Sequence, residues 1–309
     1  MFLSIVQMVL PVLIAFGLGT LCKRKAVFGE EGLKGLKAVV GKITLPAVLF
    51  YAFLTAEYSG RIALTFGTVF LACVLGLLAG YALRRFVKPY GKYLPFLLTE
   101  FEGGMLGYAL FGLLYAGQTH IFAMIDIGQT FCTFTVFYIA LKAANGEAAG
   151  LKTLVKTVLH NVVLIAMIAG ALLGVLGVGK WAMATAAGPV ITALFQFLAA
   201  PTSMLILLIV GYELRFDKAL LSPVLKTVGL RLLVMLPLMA LSALLIFAVI
   251  PFQKELFAAM LLAYTLPAPF IIPLYATDPA HKAYISTTLS IQTLVSLVLF
   301  IGVAAYTLA

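Results

Sequence analysis

Apolar residues fill this chain in ten blocks, roughly 2–22, 33–54, 61–83, 93–116, 119–141, 153–177, 186–210, 226–249, 254–276 and 283–307. Short polar or basic stretches part them. Each block is long enough to cross a hydrocarbon core as a helix, which takes about 20 residues. The pattern predicts an all-α polytopic membrane protein with ten transmembrane helices. The first block has no basic stretch before it and no clear small-residue cleavage site, and its basic cluster, Lys23-Arg24-Lys25, follows it. It reads as a retained helix rather than a removed signal peptide.

Composition agrees with this pattern. The 309 residues are 63% hydrophobic and 10% charged, more apolar surface than a soluble domain of this size could hide. The net charge of +10 therefore marks cytoplasmic loops rather than nucleic acid. Of the 21 Lys and Arg, all but Arg61, Lys180 and Lys254 fall in the loops after spans 1, 3, 5, 7 and 9 or at adjoining helix ends. This asymmetry predicts both termini outside, in a multi-pass protein of the plasma (cytoplasmic) membrane. Cys22, Cys73 and Cys132 and the scattered His120, His160 and His281 show no metal spacing. No Walker loop, dinucleotide fingerprint or nucleophile motif occurs. The sequence predicts neither an enzyme nor an ATP-driven pump, and no cofactor.

Ten spans divide into five plus five, and an odd number per half makes the second half enter the membrane from the opposite side. The halves resemble each other in order. Gly17 in "AFGLGTL" falls opposite Gly170 in "IAGALLG", and Pro46 in "ITLPAVLF" opposite Pro201 in "LAAPTSML". "LLYAG" falls opposite "PLYAT", and Gln129 in "GQTFCTFTVF" opposite Gln292 in "IQTLVSLVLF". The domain organisation predicted is a first repeat over 1–141, a short cytoplasmic link over 142–152 and a second repeat over 153–309.

Prolines and glycines inside the spans then locate interruptions. Pro46 and Pro201 are expected to break spans 2 and 7. Span 9 carries "TLPAPFIIP", with Pro267, Pro269 and Pro273, and cannot be one regular helix. Its partner, span 4, carries "LLTEFEGGMLGYALF", where Gly103-Gly104 and Gly107 are expected to weaken the helix. Paired discontinuous helices point to the binding site of an inverted-repeat transporter. Two further small-residue pairs, Gly76 with Gly80 and Gly170 with Gly174, fit close helix packing, within the subunit or between subunits.

These stretches, with "LHNVVLIAMIAGALLG" and "LIVGYELRF", carry a resemblance across nearly the whole chain. The sequence resembles the auxin efflux carrier family, which includes plant PIN carriers and bacterial permeases; the short central link is of the bacterial type. The resemblance implies a homodimeric secondary carrier with a scaffold of spans 1, 2, 6 and 7. It implies a transport domain of spans 3–5 and 8–10, moving elevator-fashion, with helices 4 and 9 crossing at its middle. Substrates in such families are mostly organic anions such as small carboxylates. The chain departs from the family pattern where Glu102 stands for an Asn at the crossing, Ala109 for a Pro beyond it, and Asn161-Val162 for Asn-Pro.

Candidate chemistry converges on the crossing. Glu102, Gln129 and Gln292 each reach a depth of roughly 15 Å in their spans. A carboxylate at that depth is costly and points to function. A break at Gly103-Gly104 would put Glu102 at the positive N-terminal end of a half-helix, a place that otherwise attracts an anionic substrate. The sequence therefore predicts a substrate site from Glu102, Gly103, Gly104, Gln129, Thr265, Pro267, Pro269 and Gln292. Glu102, Glu100 and Asp126 are candidates for coupling to a proton or sodium ion. Glu100 and Glu102, two residues apart, should point in opposite directions. Tyr108 and Tyr264 are candidate pocket walls or packing groups, and His160 and Asn161 candidate capping groups. The leading expectation is a proton-linked carrier of a small organic anion. The alternatives are a cation or amine/proton antiporter, or a non-transporting membrane sensor or scaffold.

Overall fold

The computed structural model describes residues 2–56, 58, 60–147 and 159–308. The end of the expected link and the start of the sixth span, residues 148–158, lie outside the described residues. Among the described residues, all regular structure is helical: α1 Phe2–Arg24, α2 Glu30–Leu54, α3 Gly60–Leu83, α4 Leu94–Leu97, α5 Gly103–Leu114, α6 Thr119–Ala144, α7 Val162–Val175, α8 Val178–Ala184, α9 Gly188–Glu213, α10 Leu221–Phe247, α11 Lys254–Thr265 and α12 Pro279–Leu308. Among the described residues, seven helices are long and apolar enough to cross a membrane. The count is up to eight if α7 and α8, bent by 75° at their junction, form one span. The chain is a multi-span helical membrane protein. Large apolar side chains such as Leu172, Phe197 and Leu244 stand exposed on its outer surface, where lipid is the solvent.

The expected fourth and ninth spans are missing from that count because each is interrupted near its middle. In the fourth, α4 is a single turn, residues 98–102 are non-helical, and α5 begins with a π-helical turn over Gly103–Gly107. The glycines thus start the second half-helix, and the break lies upstream of the expected Gly103-Gly104. In the ninth, α11 stops at Thr265, and beyond it lies only a 3₁₀ turn over Ile272–Tyr275.

The expected breaks at Pro46 and Pro201 are milder than the sequence suggested. A π-helical turn over Val40–Thr44 precedes Pro46, which then sits in the first turn of the segment Leu45–Leu54. A first-turn residue has no need of its N–H, so α2 runs on. Pro201 caps the segment Thr202–Glu213 and parts it from Gly188–Ala199, with α9 still one span.

Two close approaches hold the long helices. A Cβ on Gly19 of α1 would fall 2.1 Å from the Leu208 carbonyl oxygen of α9, and one on Gly211 would fall 2.1 Å from that of Phe16. The small pairs noted in the sequence likewise serve packing within the subunit. Gly76 and Gly80 meet Thr99 and Pro95, while Gly170 and Gly174 meet Phe50 and Phe53. Ahead of α12, the His281 backbone N–H donates to Asp278 at 2.9 Å, and this bond with that of the His281 ring holds the Asp278 carboxyl below its ordinary value.

Substituting Gly19 by Ala should cost about 1–3 kcal/mol, because backbone is what the added methyl would strike. Gly17→Ala, with nothing within 4 Å of its new methyl, should be near neutral. Thermal unfolding of both variants in detergent checks this contrast.

Candidate functional site

At the depth where the two interrupted helices meet, their ends leave backbone carbonyls without helical partners. In lipid there is no water to satisfy them. Arg231, on α10 and only 3% exposed, meets most of this demand. Its Nε and Nη2 donate to the Leu266 carbonyl at 3.2 and 2.9 Å. Its Nη1 donates to Leu97 and Thr99 at 3.0 and 3.1 Å, and Nη2 also to Glu100. The five N–H donors of a guanidinium are thereby spent on four carbonyls from both interrupted helices. Gln292 adds a second tie: its Nε2 donates to Leu97 O at 3.2 Å, and its Oε1 accepts from Ala268 N at 3.0 Å. Ser296 donates to the Thr265 carbonyl.

Glu102 joins the two strands of the crossing directly. Its backbone N–H donates to Pro267 O at 2.9 Å. Its carboxylate accepts from Met105 N at 3.2 Å, in the first turn of α5, and from Phe270 N at 2.7 Å, beyond the break of the other helix. The positive pole that a free anion would seek is thus occupied by a carboxylate of the chain itself.

A cavity of about 610 Å³ opens beside this carboxylate. One wall comes from the crossing, α6 and α12: Glu102, Gly103, Gly104, Asp126, Gln129, Pro269 and Ser290. The facing wall comes from α2, α7 and α9, with Leu45, Leu49, Met167 and Val210. At its mouth stand the exposed Lys37, Glu213, Arg215 and Lys282, where Lys37 pairs with Glu213 at 2.5 Å. Away from the mouth α5 packs on α9, where Ser203 Oγ donates to Ala109 O at 3.2 Å.

Asp126 is the least satisfied group on this lining. It is 2% exposed, and its Oδ1 has no hydrogen-bond partner. The buried Tyr108 hydroxyl stands beside it and is the neutral group that faces this carboxyl, although no hydrogen bond of regular geometry joins them. A Cβ on Gly103 would fall 2.3 Å from Asp126 Oδ1, so only glycine admits the carboxylate there.

The expected site residues therefore divide. Glu102, Gly103, Gly104, Gln129, Pro269 and Asp126 line the cavity. Thr265, Pro267 and Gln292 do not; their polar groups are spent in the crossing. The Thr265 hydroxyl turns back to Leu261 and Leu262 carbonyls at 2.8 Å. Glu100 points away from Glu102, as expected, although through a left-handed backbone (φ 53°) rather than a regular helix. It is fully buried, takes a 2.7 Å hydrogen bond from Thr133 on Oε2, and its Oε1 has no partner. Asn161 caps α7, accepting from Val163 N at 3.0 Å. Tyr264 packs inside, with its hydroxyl 2.8 Å from that of Ser242.

Arg231 is what the sequence reading missed. By sequence it falls among basic cytoplasmic helix ends, but it lies in the protein interior. The available signal was an arginine inside the apolar run "VGLRLLVML", a placement that marks a partnered, purposeful charge. Comparison with family models and with curated proteins found no match.

Removing the guanidinium should unravel the crossing. Arg231→Ala strips the donors from the buried Thr99, Glu100 and Leu266 carbonyls, leaving Leu97 O with Gln292 alone, and should cost about 3 kcal/mol or more. Arg231→Lys, with three donors in place of five, should fall between wild type and Ala. Thermal unfolding in detergent checks the order.

Proposed function

We propose that this protein is a secondary active transporter of a small organic solute, proton-linked and of elevator type. The observation that carries the reading is the crossing of two interrupted helices, joined by Glu102, beside a cavity. Interrupted helices at mid-membrane are how transporters offer backbone groups to a solute. The packing supports an inverted repeat. α1 meets α9 through Gly19 and Gly211, and α7 meets α2 through Gly170 and Gly174. Exchanging the halves turns the first pair of spans into the second. On this reading α1, α2 and α7–α9 form a scaffold, and α3–α6 with α10–α12 form the moving body. The proposed moving body has an apolar core of its own, including Leu77, Phe96, Phe137, Val224, Ile272 and Ile285. Membership of the auxin efflux carrier family and a homodimeric assembly belong to the same proposal.

The organic-anion substrate rests on the family resemblance. A substrate carboxylate would need the two N–H groups that Glu102 holds, so it would enter as Glu102 takes a proton and withdraws. That exchange would itself link transport to protons. The second reading, exchange of a cation or amine for protons, is favoured by Asp126, a buried cavity carboxylate with an unpartnered oxygen.

Uptake into proteoliposomes under a pH gradient, screened with labelled carboxylates and amines, tests the proposal. Wild-type protein should give saturable, gradient-dependent flux. Glu102→Gln should reduce it roughly tenfold or more, about 1.4 kcal/mol in the barrier, and flatten its pH dependence. Undiminished flux with unchanged pH dependence would remove Glu102 from the mechanism. No flux of any solute would favour a sensor or scaffold.

A further inference from the structure

The charged groups on the cavity lining separate by depth. Among the described residues, the lining carries Lys37, Glu213, Arg215 and Lys282 at the exposed mouth and only Glu102 and Asp126 inside. Lys37 is already paired with Glu213. Arg231, the nearby buried cation, directs its N–H groups to carbonyls of the crossing and does not line the cavity. The interior is thus lined by two carboxylates without a side-chain cation.

The two carboxylates are not equivalent. Glu102 has two backbone N–H donors. Asp126 has no backbone donor: its Oδ1 makes no hydrogen bond of regular geometry, the neutral Tyr108 hydroxyl stands beside it, and the residue is almost wholly buried. A buried carboxylate with only neutral groups beside it is costly unless a cation completes it. Further oxygens stand on the same lining. Thr130 lies one turn along α6 from Asp126, and its hydroxyl donates to Gln129 Oε1 at 3.5 Å. The remaining lining includes Phe101, Phe134 and Leu49, an apolar surround for a larger body.

We propose that Asp126, with Glu102, Gln129 and Thr130, forms a binding site for one monovalent cationic group. The shared chemistry is a single positive charge seeking carboxylate and neutral oxygens. Two sources carry it: the ammonium end of a small organic solute, or an alkali metal ion. The cavity's volume of about 610 Å³ leaves room for the body of an organic cation, which a bare ion would not require. The basic mouth does not oppose this, since Lys and Arg gather at cytoplasmic faces irrespective of cargo. The inference deepens the cation reading of the proposed function and rests on it.

The experiment is a thermal-shift measurement on the purified full-length protein in detergent, at pH 8 and constant ionic strength. Sodium chloride and methylammonium chloride are compared with N-methyl-D-glucamine chloride as the bulky reference. Wild type should gain about 2 °C or more from at least one of the two small cations at saturation. Sodium alone assigns the alkali ion, methylammonium alone the ammonium group, and both the shared chemistry. Asp126→Asn should lose the shift, while Glu31→Gln, an exposed carboxylate remote from the lining, should keep it. If Asp126→Asn does not fold, Thr130→Val carries the comparison, with a reduced shift. Equal stability in all three salts would overturn the proposal, as would an undiminished shift in Asp126→Asn, or in Thr130→Val where that variant stands in for it. A cation shift without vesicle flux would leave the site standing and remove the transporter reading. Anion flux without a cation shift would do the reverse.

Discussion

Arg231 allows two helices of this membrane protein to stop within its interior. A helix that ends there exposes carbonyls to a medium without water, and each one left bare is costly. One guanidinium, fixed on the uninterrupted α10, takes carbonyls from both broken helices at once. Gln292 and Ser296, from α12, complete the set. With the C-terminal ends of both breaks held from behind, backbone N–H groups and the Glu102 carboxylate are free to face forward. The cavity exists on the front of the crossing because the demand at its back is met.

The two halves of the proposed inverted repeat diverge at the crossing. Gln129 and Gln292 correspond by sequence, yet they do different work. Gln292 ties the crossing together. Gln129 lies on the cavity lining, bonded to its own helix neighbours Thr130 and Thr133. A symmetric scaffold would have spent both on structure. Here one half supplies the rigid back of the crossing, through Arg231, Gln292 and Ser296. The other supplies the chemically exposed front, through Glu102, Asp126 and Gln129.

The uninterrupted apolar blocks were legible in the sequence because length and composition alone decide whether a helix can span lipid. Pro267 and Pro269 marked the interruption of the ninth block for an equally local reason, the missing N–H and fixed φ of proline. Glycine misled by a few residues: Gly103 and Gly104 open a half-helix, and the turn-breaking conformation belongs to Glu100. Pro46 misled because a π-helical turn before it absorbs the irregularity. The site itself was half visible. Buried acids stand out in an apolar run, so Glu102 and Asp126 were found. Whether Thr265 or Pro267 faces a cavity depends on backbone direction after the break, which no periodicity encodes. Arg231 was hidden by its position near a basic helix end, where snorkelling explains an arginine as well as burial does.

The proposed mechanism requires two helical bodies to move relative to each other across the cavity. Pulsed electron-spin distance measurements test it most directly, with labels at Lys180 on α8 and Phe252 between α10 and α11, in a background where Cys22, Cys73 and Cys132 are replaced. Elevator movement should give two distance populations whose weights change with pH or added cation. A pair at Lys88 and Lys226, both in the proposed moving body, should keep one invariant distance. A single, unchanging distance between Lys180 and Phe252 under every condition would contradict that movement.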